Sequence, residues 1–400
     1  MMLIASSQSR ASTAPSVLVI LLPIMAVVLF GFLIAGLALP VLPLHVHQGL
    51  GLSTFVVGLI TGSQFAASLI SRLWSGHYAD SRGAKRAVVA GLLGAVAAGL
   101  LYLASLSFIG TPAISATILL LGRAVLGGAE SFIITGAFGW ALAQVDARHA
   151  GKVIAWVGTA MWAAFALGAP LGSALYASYG FVAIALATTL IPLAALLLVL
   201  PLRSVVPPTQ IRPAFTRVIG AVWVPGIGMA LSSVGFGAIT AFIALRFVDQ
   251  GWAPVWLAFS AFAGAFIVAR VVGGHLPDKL GGAKVALASV LIEAAGQALI
   301  WLAAGPMVAL LGAGLTGIGW SLVYPSFGIE AVHRAPPESR ALAMGAYTAF
   351  LDLAIGLASP ALGAVAGGAG LGPVFLVSAL VVLGAAFIAV RLLSNSATAQ

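Results

Sequence analysis

The 400-residue chain is 62% hydrophobic and 7% charged, with a formal net charge of +9 and no cysteine. A soluble domain carries about 25% charged residues, so no soluble fold could cover this much apolar surface, and disulfides and thiolate metal sites are excluded. The basic residues are scattered over short segments instead of forming a patch, which argues against a nucleic-acid partner and for a lipid bilayer.

Apolar stretches long enough to cross a bilayer, about 20 residues each, fall near 16–41, 54–75, 87–108, 115–143, 153–176, 181–201, 218–245, 255–275, 285–304, 307–328, 341–364 and 373–393. They are too long and too uniform for outer-membrane strands, so the expected fold class is an all-α membrane protein with twelve transmembrane helices. Only Arg10 precedes the first stretch, and no small-residue cleavage pattern follows it. It reads as a retained helix. With the N-terminus in the cytoplasm, fourteen Lys and Arg fall on that side and only Arg246 on the other, while Arg72, Arg123 and Arg270 lie inside helices. That bias puts both termini in the cytoplasm. The segment 203–217, with Pro207, Pro208 and Pro213, is the expected linker between six-helix halves at 1–202 and 218–400.

Arg72, Gly76, His77, Asp80 and Gly83 recur as Arg270, Gly274, His275, Asp278 and Gly281, every member 198 residues later. Gly127 and Gly317, Ser131 and Ser321, and Pro170 and Pro360 echo at an offset of 190. The chain is a tandem duplication, and each copy of the motif reads as a short Gly-rich loop between two membrane helices. Asp80 and Asp278 stand where helices two and eight reach the cytoplasm, placed to accept hydrogen bonds from a neighbouring helix N-terminus. Arg72 and Arg270, two turns earlier, are expected to snorkel toward the same interface.

Helix four carries Arg123 and Glu130, seven residues apart and so on one face. Their separation is about 10 Å by helical rise, which leaves both a direct pair and separate partners open. Charges at such depth face a bundle interior or an aqueous cavity. Helix eleven carries Asp352 near the midplane, and Gly345, Thr348, Asp352, Gly356 and Ser359 share one small, polar face that predicts a cavity wall. Asp352 is either a proton or cation site or a fixed structural hydrogen-bonding group. Glu293 on helix nine serves transport or pairs with Arg270. Gln64, Trp162, Trp320 and Tyr324 are cavity candidates, since aromatic faces with a few polar tips suit an amphipathic organic ligand. Helix five contains Gly168-Ala-Pro170-Leu-Gly172, which permits a bend and close helix approach. His45 and His47 are expected as solvent residues of an external loop, with no metal role.

Gly76-His-Tyr-Ala-Asp80-Ser-Arg-Gly83-Ala-Lys85 resembles the signature loop of the major facilitator superfamily, Gly-x-Leu-Ala-Asp-Arg-x-Gly-Arg-Lys, with Ser81 and Ala84 where that loop carries basic residues. Gly274-x-Leu276-Pro-Asp278-Lys279-x-Gly281 is its second-half counterpart. Over nearly the whole chain, in stretches such as HYADSRGAK, LGRAVLGGAESF, GWSLVYPSFG and AYTAFLDLAIG, the sequence resembles the YhhS/YfcJ group of bacterial major facilitator proteins. The resemblance implies two pseudo-symmetric six-helix bundles around a central cavity in a bacterial inner membrane, alternating access, and the paired Asp loops as a conformational latch. Arg123-x-x-x-Gly127 resembles the helix-four motif of proton-coupled members, and Gly168 to Gly172 resembles the antiporter element Gly-Pro-x-x-Gly-Gly, with Ala169 and Ser173 replacing glycines.

Neither Gly-Lys-Ser nor Gly-Lys-Thr occurs, so there is no P-loop for ATP. His-Glu-x-x-His and Gly-x-Ser-x-Gly are missing too, and an enzyme is not expected. No cofactor is expected either; a proton gradient is the expected energy source. The expected function is secondary active transport of a small organic solute by a monomer, as proton-coupled efflux. The alternatives are import of a metabolite such as a sugar, and a non-transporting receptor or sensor.

Overall fold

Inside a bilayer no water is available to pair backbone N–H and C=O groups, so a spanning apolar run must satisfy them within itself as helix. The computed structural model of the chain describes residues 17–145, 150–205, 216–336 and 340–397. Among these, twelve helices are long and apolar enough to cross a membrane. They are α1 Val17–Ala38, α2 Thr54–Arg82, α3 Ala84–Leu106, α4 Pro112–Leu142, α5 Ala150–Tyr179, α6 Phe181–Val199, α7 Thr216–Asp249, α8 Val255–Gly273, α9 Gly282–Leu302, α10 Pro306–Arg334, α11 Arg340–Ala369 and α12 Leu371–Ala397. Arg10, Arg148, Arg212 and the linker prolines Pro207, Pro208 and Pro213 lie outside the described residues. The chain just beyond α6 is tied down: Lys85 Nζ donates to the carbonyls of Leu200 and Leu202 at 2.8 and 2.6 Å, and Trp140 Nε1 to that of Arg203 at 3.1 Å.

The duplicated motif is not a loop in its first copy. α2 continues as helix through Gly76 and Asp80 to Arg82, whereas α8 stops at Gly273 and a separate short helix spans Leu276–Leu280. Pro277 stands where the first copy has Ala79. Proline has no N–H to continue the helix and its ring crowds the preceding turn. The turn into the next helix is the same in both copies, with Gly83 at φ 99°, ψ 144° and Gly281 at φ 91°, ψ 140°. Side chains rarely adopt that conformation, so the glycine is required.

Helix partners repeat as well. α1 packs on α5 and α6, α2 on α4, and α3 on α4 and α6; in the second half α7 packs on α11 and α12, α8 on α10, and α9 on α10 and α12. Ser131 Oγ on α4 donates to the Ser68 carbonyl on α2 at 3.0 Å, and Ser321 Oγ on α10 donates to the Phe266 carbonyl on α8 at 2.9 Å. Gly127 rests on the backbone of Gln64 and Gly317 on that of Phe262, so a Cβ at either would collide with a carbonyl oxygen. Small residues of this kind let helices approach where lipid offers no hydrophobic drive for association. Gly168 and Gly172 of α5 lie in the same way on Gly36 and Leu37 of α1.

The two halves meet along α2 with α11 and along α5 with α8. At the first seam Thr54 Oγ1 donates to the Gly363 carbonyl at 2.8 Å, and Gly58 and Gly62 face the backbone of Ser359 and Gly356. Gly356 and Ser359 are therefore seam residues and not the predicted cavity wall: small side chains allow contact with α2, which leaves no space for a cavity there.

His45 is a second correction. The chain beyond α1 turns through Leu42–Leu44 into a π-helical His45–Gly49, and the His45 side chain, in a residue only 6% exposed, stacks on Phe181 with ring centres 4.0 Å apart. Val41, Leu42 and Val46 are all buried and draw it inward. His47 is half-buried, with Nδ1 2.7 Å from the Leu52 carbonyl oxygen.

Candidate functional site

A cavity of about 810 Å³ lies between α5 on one side and α8, α10 and α11 on the other, within the size range of small-molecule sites. Trp162, Phe266 and Tyr324 line its inner part; His275, Asp278 and His333 line its mouth. On α8, Phe259, Phe262, Phe266 and Arg270 follow at spacings of three and four and so share one face. Arg270 reaches the cavity from that face, its guanidinium over the Phe266 ring at 5.7 Å. Tyr324 is oriented by two hydrogen bonds, one between its hydroxyl and Thr348 Oγ1 at 2.8 Å and one from Tyr347 Oη to its carbonyl at 2.9 Å.

Aromatic rings close the inner end. Trp162 stands 4.0 Å from Phe266 and 5.2 Å from Trp320, and Trp320 stacks on Phe236 at 4.4 Å. Phe65 of α2 meets Phe236 edge-on at 6.1 Å, so both halves contribute. Trp320, only 3% exposed, belongs to this plug. Phe65, Phe236, Phe262 and Phe266 are absent from the sequence-based candidates. The repeat carried a signal for two of them, since Phe262 and Phe266 lie 198 residues after Gln64 and Ser68.

The embedded charges fall into separate settings. Arg72 does not join the Asp80 end of its helix as expected; it donates from Nε and Nη2 to Asp352 Oδ2 on α11, at 3.1 and 2.5 Å, across the seam between the halves. Asp352 is buried whereas Asp80, two turns along the same helix as Arg72, is exposed, and a carboxylate shielded from water attracts the guanidinium more strongly. Gln64 Nε2 donates to Glu130 Oε2 at 2.6 Å, and Glu130 Oε1 has no hydrogen-bond partner. Arg123 is 0% exposed, and none of its three guanidinium nitrogens is hydrogen-bonded. Arg123 and Glu130, though on one face, form no direct pair.

Glu293 does not pair with Arg270. It accepts a hydrogen bond from Ser232 on α7, with its other oxygen against Gly235, because its position on α9 faces the α7 and α12 side of the bundle and not α8. The helix N-terminus predicted to be held by Asp278 is held by Glu330 of α10, whose Oε1 accepts from the Ala283 N–H at 3.1 Å while Oε2 pairs with Arg334 at 3.7 Å. Asp278 is exposed in the short helix after Gly274, and that helix is turned by Pro277 toward the cavity. Gly76 is buried within α2, with Asp80 exposed one turn further on.

The Major Facilitator Superfamily model matches residues 24–327. The chain is 41% identical over 379 residues to an uncharacterised MFS-type transporter of Salmonella typhimurium, across 94% of this chain and 98% of that protein. It is 39% identical over 362 residues to the uncharacterised MFS-type transporter YhhS of Escherichia coli, across 90% and 89%. Its fold is similar to the crystal structure of a D-xylose–proton symporter, with a TM-score of 0.75 at 16% identity over 92% of this chain and 96% of that one. Twelve membrane helices, a duplicated half and a cavity between the halves agree with these matches, and the chain belongs to the major facilitator superfamily, a family of transporters and not of enzymes.

Proposed function

We propose that this transporter is a proton-coupled exporter of a small organic solute, and that its cavity here faces the cytoplasm. The observation that carries the reading is the Arg72–Asp352 bridge, which joins the two halves through a group that can take up a proton. Protonating Asp352 removes the charge that Arg72 holds, so proton uptake loosens one seam and favours a different arrangement of the halves. Gln64, Ser68 and Arg72 recur every four residues on α2, so this one helix face meets Glu130, Ser131 and Asp352. Both carboxylates thus act on the same helix. The halves rock about the cavity in alternating access.

Arg82, Lys85, Arg86, Lys279, Lys284 and Arg334 gather at the end where the cavity opens. The positive-inside rule assigns that end to the cytoplasm, which puts both termini there, in a bacterial inner membrane. The protein works as a monomer with the proton gradient as its energy source.

The test uses proteoliposomes with a trapped pH-sensitive dye, loaded in turn with carboxylates, sugars and organic cations. Antiport requires the lumen to acidify as a loaded solute leaves. Alkalinisation would identify symport, and transport of a solute with no proton movement would overturn the coupling.

A further inference from the structure

Arg72 and Arg270 occupy the same position in the two halves, 198 residues apart. Arg72 has a carboxylate and Arg270 does not. Asp352, the partner of Arg72, corresponds at the 190-residue offset to Trp162 on α5, and α5 faces α8 as α11 faces α2. At the place where symmetry would put an acid there is an indole, and beside it lies the cavity, lined by both Trp162 and Arg270. Among the described residues Arg270 makes no ion pair; its guanidinium stands over the Phe266 ring.

From this vacancy in the pseudo-symmetry we infer that the cavity binds an organic anion, its carboxylate taking the place at Arg270 that Asp352 takes at Arg72, and its apolar body lying among Trp162, Phe266 and Tyr324. The planar guanidinium presents a fork of donors that fits a carboxylate, and a half-buried guanidinium within a membrane helix gains from an anionic partner. Among the described residues Arg270 is the one Lys or Arg in the lining. His275 and His333 face the cavity, and its one acidic lining residue, Asp278, is exposed at the mouth. A cationic solute would meet Arg270 as a like charge. A sugar would need many polar partners, whereas the inner lining is largely aromatic and aliphatic.

This inference rests on the cavity being the transport site, but its test needs neither transport nor a proton gradient. Binding of 2-naphthoate, octanoate and phthalate to the purified protein in detergent is measured by calorimetry, beside the neutral 2-naphthamide and the cationic 2-naphthylmethylammonium. At least one carboxylate should bind, and the naphthyl series should favour the anion over the amide and the cation by about tenfold or more. Arg270→Gln should remove that preference, Arg270→Lys should retain part of it, and Trp162→Asp, which supplies the missing acid, should abolish carboxylate binding. No binding by any of the three carboxylates, equal binding of the amide, preference for the cation, or undiminished preference in folded Arg270→Gln would each overturn the assignment. The wild-type comparison decides the matter even where a variant fails to fold. Loss of coupling in Asp352→Asn with anion binding intact would separate this inference from the proposed proton coupling.

Discussion

Arg72 of α2 grips Asp352 of α11 through two guanidinium nitrogens, at 3.1 and 2.5 Å, and so links residues 280 apart in sequence and on opposite halves of the molecule. Asp352→Asn and Arg72→Gln should each abolish pH-driven counterflow while leaving a folded, monodisperse protein. Because the Arg72 side chain is 26% exposed, the stability cost should fall below the about 3–5 kcal/mol seen when a fully buried pair is broken. Counterflow in proteoliposomes, with thermal unfolding in detergent as the control, reads both effects. Intact counterflow in Asp352→Asn would remove Asp352 from the coupling.

Glu293 should behave differently, since its hydrogen-bond partner is Ser232 and it lies away from the cavity lining. Glu293→Gln is expected to keep pH-driven flux within about twofold of the parent, because an amide still hydrogen-bonds without the charge. Gly235→Ala, whose Cβ would fall on the Glu293 carboxylate, should lower the melting temperature. Loss of coupling in Glu293→Gln would return this residue to the transport path.

The duplicated serines offer a test of symmetry in energy. Ser131→Ala and Ser321→Ala each delete one hydrogen bond to a neighbouring helix carbonyl, and both should cost about 0.6 kcal/mol, the average for such bonds between membrane helices. Denaturant titration of the two single variants checks that the values agree. A much larger effect at Ser131 would reflect its additional contact with Ser68 Oγ at 3.0 Å.

Gly83→Ala and Gly281→Ala force a side chain into φ near 99° and 91°. Each should destabilise by about 1–3 kcal/mol, the cost of placing an ordinary residue in such a region. The two losses should be similar, because the two turns share one conformation; the same denaturant titration measures them.

Gly58 crosses Ser359 so closely that any Cβ meets its carbonyl. Gly58→Leu should therefore spread α2 from α11 and expose the end of the seam near Thr54. The chain has no cysteine, so a single Thr54→Cys can report this directly. Its labelling by a membrane-impermeant maleimide should rise several-fold in the Gly58→Leu background, and unchanged labelling would mean that the seam yields in another way.

Much of the fold was legible along the chain. Lipid leaves a long apolar run no option but helix, so length and composition suffice to count the spans. Duplication leaves its period in the residues that make the scaffold, and the weak echoes of Gly127 with Gly317 and Ser131 with Ser321 proved to be matching helix contacts. The embedded charges were visible too, because charge is rare at such depth and has to have a reason.

Their partners were a different matter. Helical period says which residues share a face, but not toward which distant helix that face is turned. Arg72 was free on sequence grounds to join Asp80, and Glu293 to join Arg270; packing turned the first toward Asp352 and the second toward Ser232. A single proline, Pro277 in place of Ala79, ended α8 early and brought Asp278 to the mouth of the cavity. The sequence by itself determined twelve helices, two like halves and a handful of costly charges. The tertiary structure decided which charges meet, because electrostatic pairing acts over a few ångströms and only the packing of helices from both halves sets distances on that scale.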